Sequence, residues 1–150
     1  MPEEIIRAQR INPEGQWSGA SDICSLNYNE RFLRRKVLTT VQGARFLVDL
    51  PHTTSLNHGD AFELEDGRLI EVIAAKEALL EITGDLTRLA WHIGNRHMPC
   101  QIEPTRLLIQ QDKVIRDMLQ KLGAKLQEVS EPFTPEGGAY GHGRTHSHEH

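Results

Sequence analysis

Two periodicities of apolar side chains divide the chain. Up to about residue 75, apolar and polar positions alternate, the period of two that marks a strand with one face on a core. Val37-Leu38-Thr39-Thr40-Val41 and Arg45-Phe46-Leu47-Val48-Asp49-Leu50 flank Gln42-Gly43, a hairpin pattern. Ala61-Phe62-Glu63-Leu64-Glu65 and Arg68-Leu69-Ile70-Glu71-Val72-Ile73 flank Asp66-Gly67, a stronger one, because Asp-Gly suits a tight hairpin turn. Pro51, Asn57, Gly59 and Asp60 read as the connection between the two hairpins. Residues 5–10 and 24–28 add candidate strands. Several short strands with no helix among them predict a small β-sandwich or barrel-like domain over residues 1–75.

Beyond residue 75 the period changes. A strand over residues 78–83 precedes a helix over 85–94, in which Leu86, Leu89, Ala90 and Ile93 share one face and Asp85 stands at the N-cap. Gly94 and Asn95 read as its stop, since both tolerate a left-handed backbone. Strands near 100–103 and 105–110 follow. Asp112 then caps a second helix with Val114, Ile115, Met118, Leu119 and Leu122 on one face and Gly123 at its end. A strand over 125–129 completes β-α-β-β-α-β, the ferredoxin-like unit, over residues 76–131. Its helices cover one sheet face and leave the other for a partner or the first domain. Residues 132–150 are rich in Pro and Gly and are expected to be a disordered, histidine-containing tail. The fold class is α+β: an all-β domain, a ferredoxin-like domain and the tail.

Composition narrows the function. A chain of 150 residues with 38% hydrophobic and 25% charged residues is a soluble globular protein of one or two domains. The net charge of −4 and the 5% aromatic content argue against a phosphate backbone or stacked bases as partner, so no nucleic acid is expected. Arg34-Arg35-Lys36 reads as a solvated face. No stretch approaches the roughly 20 apolar residues of a membrane span, and no signal peptide is visible, so a cytoplasmic protein away from the membrane is expected. Cys24 and Cys100 stand alone, without a C-x-x-C site or a disulfide framework. No Gly-x-x-x-x-Gly-Lys-Ser/Thr loop is present, so a P-loop nucleotide site is not expected.

Histidines carry the candidate chemistry. His92 lies in the last turn of the first helix and His97 just beyond it, in Trp91-His92-Ile93-Gly94-Asn95-Arg96-His97-Met98-Pro99. Alone, this stretch reads as a histidine meeting a negative helix end and a polar loop residue. The last ten residues change the weighting, because His142, His146, His148 and His150 alternate there with Gly, Arg, Thr, Ser and Glu. Such a tract reads as metal binding by composition, and its interruptions differ from a purification tag. Two histidine sites, one on a folded element and one on a tail, point to metal handling. Nitrogen donors with no thiolate nearby, Cys100 apart, suit nickel, copper(II) or zinc. Cys100 and Met98 read as small buried apolar residues rather than ligands.

The stretch His92-Ile93-Gly94-Asn95-Arg96-His97-Met98-Pro99-Cys100-Gln101-Ile102, followed by a helix with Asp117-Met118-Leu119, resembles the UreE family of urease accessory proteins. The resemblance covers nearly the whole chain, including the hairpin around Gly59-Asp60 and Asp66-Gly67 and the histidine-bearing tail. It implies a nickel-binding metallochaperone, not an enzyme, that donates nickel while the urease metal centre is assembled. It further implies an N-terminal β domain for partner contacts and a ferredoxin-like domain that binds metal and dimerises. By position, His97 matches the family's metal-binding histidine at the dimer interface, and His92 the helical histidine upstream, with a structural or minor binding role. Some relatives carry further histidines before the second helix, where this chain has Gln110, Gln111 and Lys113. The implied partners are a second copy, the urease apoprotein complex and its accessory GTPase.

One imidazole cannot hold a transition metal, but a residue near the two-fold axis of a homodimer is present twice. A pair of His97 rings, completed by His142, His146, His148 or His150, would form an open site able to release its cargo by ligand exchange. Copper or zinc could occupy such a site in vitro. Two other readings compete. A metal-dependent hydrolase using His92 and His97 would need a third ligand and a base, and Glu103 is the only acid nearby. A metal-storage or interaction module would need neither.

Overall fold

The computed structural model describes residues 5–137. The chain forms two compact units that divide between Ala75 and Lys76.

In the first unit β1 (Arg7–Asn12), β2 (Asp22–Leu26), β3 (Phe32–Thr39), β4 (Arg45–Ser55), β5 (Ala61–Leu64) and β6 (Leu69–Ala74) form one sheet in the order β2-β6-β5-β1-β4-β3. Both sequence hairpins are present: Leu38 pairs with Phe46 across the Gly43 turn, and Glu63 with Leu69 across the Gly67 turn. Alternation sends Phe46, Val48 and Leu50 of β4, and Ile70 and Val72 of β6, into one core with Ala8, Leu38, Phe62 and Leu64. Each such large side chain contributes roughly 1.5–3 kcal/mol when buried. The Phe46 and Phe62 rings meet edge to face at 5.2 Å. The sheet curls until its two edge strands approach: the Val41 N–H donates to the Ile23 carbonyl at 2.9 Å. That contact makes the unit barrel-like.

Pro51 does not end its strand. β4 runs through it to Ser55, which pairs with Phe32 of β3. The pairing is irregular between Leu33 and Arg35, whose partners are Thr54 and Asp49, so Pro51 lies in the bulged stretch. A residue with no N–H is tolerated there.

The second unit comprises β7 (Lys76–Thr83), α1 (Leu86–Asn95), β8 (Gln101–Ile102), β9 (Leu107–Gln110), α2 (Lys113–Lys121) and β10 (Lys125–Pro132). The sheet order is β10-β7-β9-β8, the ferredoxin-like arrangement. Leu80, Ile82, Leu107 and Ile109 pack on Leu89 and Ile93 of α1 and Ile115 and Leu119 of α2. Asp85 and Asp112 cap the helices, accepting hydrogen bonds from the N–H groups of Arg88 and Ile115.

The chain beyond β10 is held as far as it is described. Phe133 is fully buried. The Thr134 N–H donates to Gln101 Oε1 at 2.9 Å, and the Glu136 N–H donates to the Cys100 carbonyl at 2.9 Å. Residues 132–137, assigned to the tail by composition, therefore run from β10 at one sheet edge to β8 at the other.

Candidate metal centre

His97 is placed by the way α1 ends. Gly94 and Asn95 do not stop the helix; it passes through both, with Arg96 as its C-cap. The left-handed residue is His97 itself, at φ 59, the one non-glycine with positive φ among the described residues. The His97 N–H donates to the Gly94 carbonyl at 2.9 Å and the Met98 N–H to the Ile93 carbonyl at 3.3 Å. These are the two bonds of a Schellman motif. Its usual apolar contact is present too, because Met98 is half-buried on the cluster that contains Ile93. The backbone at His97 is thus clamped on both sides, while its side chain is exposed.

The other candidate residues sit differently. His92 is half-buried in the last turn of α1, its ring edge to face with Trp91 at 5.0 Å. Burial, with a smaller push from the Glu136 carboxylate, raises the Cys100 thiol to about 11. In the metal-free chain it is protonated at neutral pH. The buried Cys24 thiol is likewise raised to about 11, first by burial. Glu103, the one acid near His97 in sequence, is engaged by Arg106 at 3.0 Å and by Gln101 Nε2 at 2.7 Å. Gln110 Nε2 donates to Glu77 at 3.0 Å, and Gln111 Nε2 reaches the Leu79 carbonyl at 3.5 Å, so both glutamines serve the sheet. His58, unremarked in the sequence pattern, accepts the Ala74 N–H on Nδ1 at 3.0 Å and so ties a loop to β6.

Among the described residues no three His, Cys, Asp or Glu side chains converge as a metal-holding group. His142, His146, His148 and His150 lie outside the described residues. Among the described residues, this turn offers one exposed imidazole, His97, with the Glu136 N–H bonded three residues further on at the Cys100 carbonyl.

Known proteins share this organisation across both units. The profile of the UreE urease accessory protein N-terminal domain matches residues 3–75, and that of its C-terminal domain matches residues 70–150. The chain belongs to the UreE family. A urease accessory protein UreE of Ruegeria pomeroyi is 72% identical over 148 residues, covering 98% of this chain and 99% of the relative. One of Rhodobacter capsulatus is 61% identical, covering 96% and 92%. One of Ruegeria sp. (strain TM1040) is 68% identical, covering 97% and 82%. The UreE match spans the Schellman turn and the histidine tail alike.

Two features of this region escape the sequence pattern. The left-handed backbone at His97 depends on where α1 stops, which packing decides. The clip from Thr134 and Glu136 to Gln101 and Cys100 joins residues more than 30 positions apart. Phe133 was its visible signal, an aromatic side chain in an otherwise polar stretch.

Proposed function

We propose that this chain carries nickel and donates it during assembly of the urease metal centre, and that it is an accessory protein rather than an enzyme. The observation that carries this reading is the exposed His97 ring on a clamped left-handed turn in a member of the UreE family. A non-glycine in that conformation costs of order 1–3 kcal/mol, and such strain clusters at functional positions. Two copies would bring two His97 rings to one nickel ion, and tail histidines from His142, His146, His148 and His150 would add donors. His92 takes at most a minor part. The site would be exposed and incomplete, as a donor's must be, since cargo held in a closed set of four ligands exchanges poorly.

Nickel is the cargo in this reading because urease is the client; imidazole donors by themselves bind copper(II) more tightly. The hydrolase reading is disfavoured, because Glu103 is committed to Arg106 and Gln101 and is not free to act as a base. Work in the cytoplasm alongside the urease apoprotein complex and its GTPase belongs to the same proposal. Among the described residues no helix is long and apolar enough to cross a membrane.

The test is calorimetric nickel titration of the full chain, His97→Ala, and a truncation ending at Gly141, with light scattering for oligomeric state. Loss of the tightest site in His97→Ala, at one metal per dimer, with only weaker sites lost on truncation, supports the reading. Loss of all binding on truncation and none in His97→Ala would make the tail the only metal site and overturn the shared His97 site.

A further inference from the structure

We infer that residues 133–136 brace the chain on the far side of His97, and that Gln101 is the positioning residue through which they act. The bearing on nickel rests on the proposed role of His97 as a ligand; the brace itself lies wholly within the described residues.

A short path leads away from His97. The Schellman bond from the Met98 N–H to the Ile93 carbonyl fixes its near end. Its far end is β8, two residues long and paired on one side, Gln101 with Leu108 and Ile102 with Leu107. Two residues at a sheet edge open easily. The chain beyond β10 supplies the other side. The Glu136 N–H donates to the Cys100 carbonyl at 2.9 Å, and the Thr134 N–H to Gln101 Oε1 at 2.9 Å. Phe133, fully buried, anchors the start of this brace.

The sequence stiffens both pieces. Pro135, which has no N–H, separates the two donors, and alternate residues of an extended chain present their N–H groups to the same side. In the path, Pro99 has its φ held at about −65° and restricts Met98 before it to extended conformations. Once the Met98 N–H and the Cys100 carbonyl are both bonded, few backbone torsions stay free between them. Met98 and Cys100 also pack on the core, but apolar contact is non-directional. The hydrogen bonds supply the direction. Gln101 is itself held, because Nε2 donates to Glu103 at 2.7 Å and Arg106 ties Glu103 to Glu81 and Glu131. An amide locked at one end offers its other end in a fixed place. The brace thereby limits the directions in which the exposed His97 ring can leave its turn.

A segment that only closed the sheet edge would make the same bonds, so the test reads His97. Nickel(II) is titrated into the full chain, Gln101→Leu, Glu136→Pro and Glu136→Ala, each with His97 kept and with His97→Ala. Glu136→Pro removes the N–H donor, whereas Glu136→Ala keeps it. Gln101→Leu removes the Thr134 acceptor and stands as an independent variant. Amide hydrogen exchange at Met98 is followed by NMR in the same metal-free proteins, with far-UV circular dichroism as the check on folding.

The expected result is a loss of about fivefold in affinity at the tightest nickel site for Gln101→Leu and Glu136→Pro, and none for Glu136→Ala. Neither variant should lose more in the His97→Ala background, and both should speed Met98 exchange. Unchanged affinity in both, where His97→Ala does lose the site, overturns the positioning role. Equal loss in the His97→Ala background also overturns it, because the effect then does not pass through His97. Equal loss in Glu136→Ala overturns it in favour of the carboxylate. If His97→Ala binds nickel as the unaltered chain does, the ligand reading fails, an outcome separate from the brace, which unchanged Met98 exchange in both variants would refute.

Discussion

His97 at the end of α1 and Gly123 at the end of α2 occupy the same position of the same capping motif. Their φ angles are 59 and 83. In α2 the Gly123 N–H donates to the Gln120 carbonyl and the Ala124 N–H to the Leu119 carbonyl, as His97 and Met98 do to Gly94 and Ile93. Glycine is the inexpensive residue at such a site, and α1 carries histidine there. His97→Gly is therefore expected to stabilise the fold by about 1 kcal/mol while removing the tightest nickel site. Urea denaturation and nickel titration on the same preparation check both halves. A loss of stability in His97→Gly would show that the imidazole contributes packing that outweighs the backbone cost.

Gly123 supplies the converse. A Cβ placed there meets no heavy atom within 4 Å, so substitution carries a backbone penalty without a clash. Gly123→Ala is expected to destabilise by about 1 kcal/mol and to leave nickel binding unchanged. Equilibrium unfolding by far-UV circular dichroism measures the first, calorimetry the second.

Glu131 reports on the side-chain network around Arg106. The Arg106 hydrogen bonds hold its carboxyl below the usual carboxylate range, and Arg106 itself is raised further by Glu131, Glu103 and Glu81. A carboxyl lowered on folding contributes stability above its unfolded value and loses it as pH falls through the lowered one. Carbon-detected NMR titration should place the Glu131 midpoint below that of a free glutamate. In Arg106→Gln the midpoint should return towards the ordinary range.

Cys100 separates ligand from neighbour. With its thiol raised to about 11 by burial, alkylation at pH 8 is expected to be slower than that of a free cysteine and to accelerate steeply only as pH approaches that value. Cys100→Ser is expected to leave the tightest nickel site in place. A loss of affinity in that variant would place a thiolate among the donors.

Acid should release the cargo. Imidazoles bind metal in the neutral form and lose it on protonation, so affinity at the proposed nickel site is expected to fall as pH is lowered. Titrations at stepped pH measure this. A pH-independent affinity between about 5.5 and 7.5 would exclude imidazole as the principal donor.

Local pattern was enough for most of the architecture. The Asp66-Gly67 and Gln42-Gly43 hairpins, the caps at Asp85 and Asp112 and the stop at Gly123 each follow from a few adjacent residues, and the order β-α-β-β-α-β follows from their succession. The stretch from His92 to Ile102 carried the family resemblance for the same reason, being a contiguous motif. Tertiary structure alone decided the rest. Pro51 stays within β4 because an irregular pairing with a distant strand leaves its missing N–H unrequired. The helix end falls at His97 rather than at Gly94 because Met98 finds a place on the core with Ile93, an energy no propensity of glycine or asparagine contains. Hydrogen bonds join Thr134 and Glu136 to Gln101 and Cys100 across more than 30 residues. Short-range periodicity specifies elements, whereas long-range hydrogen bonds and burial, available only once those elements pack, set the backbone at His97 and the path of the chain beyond β10.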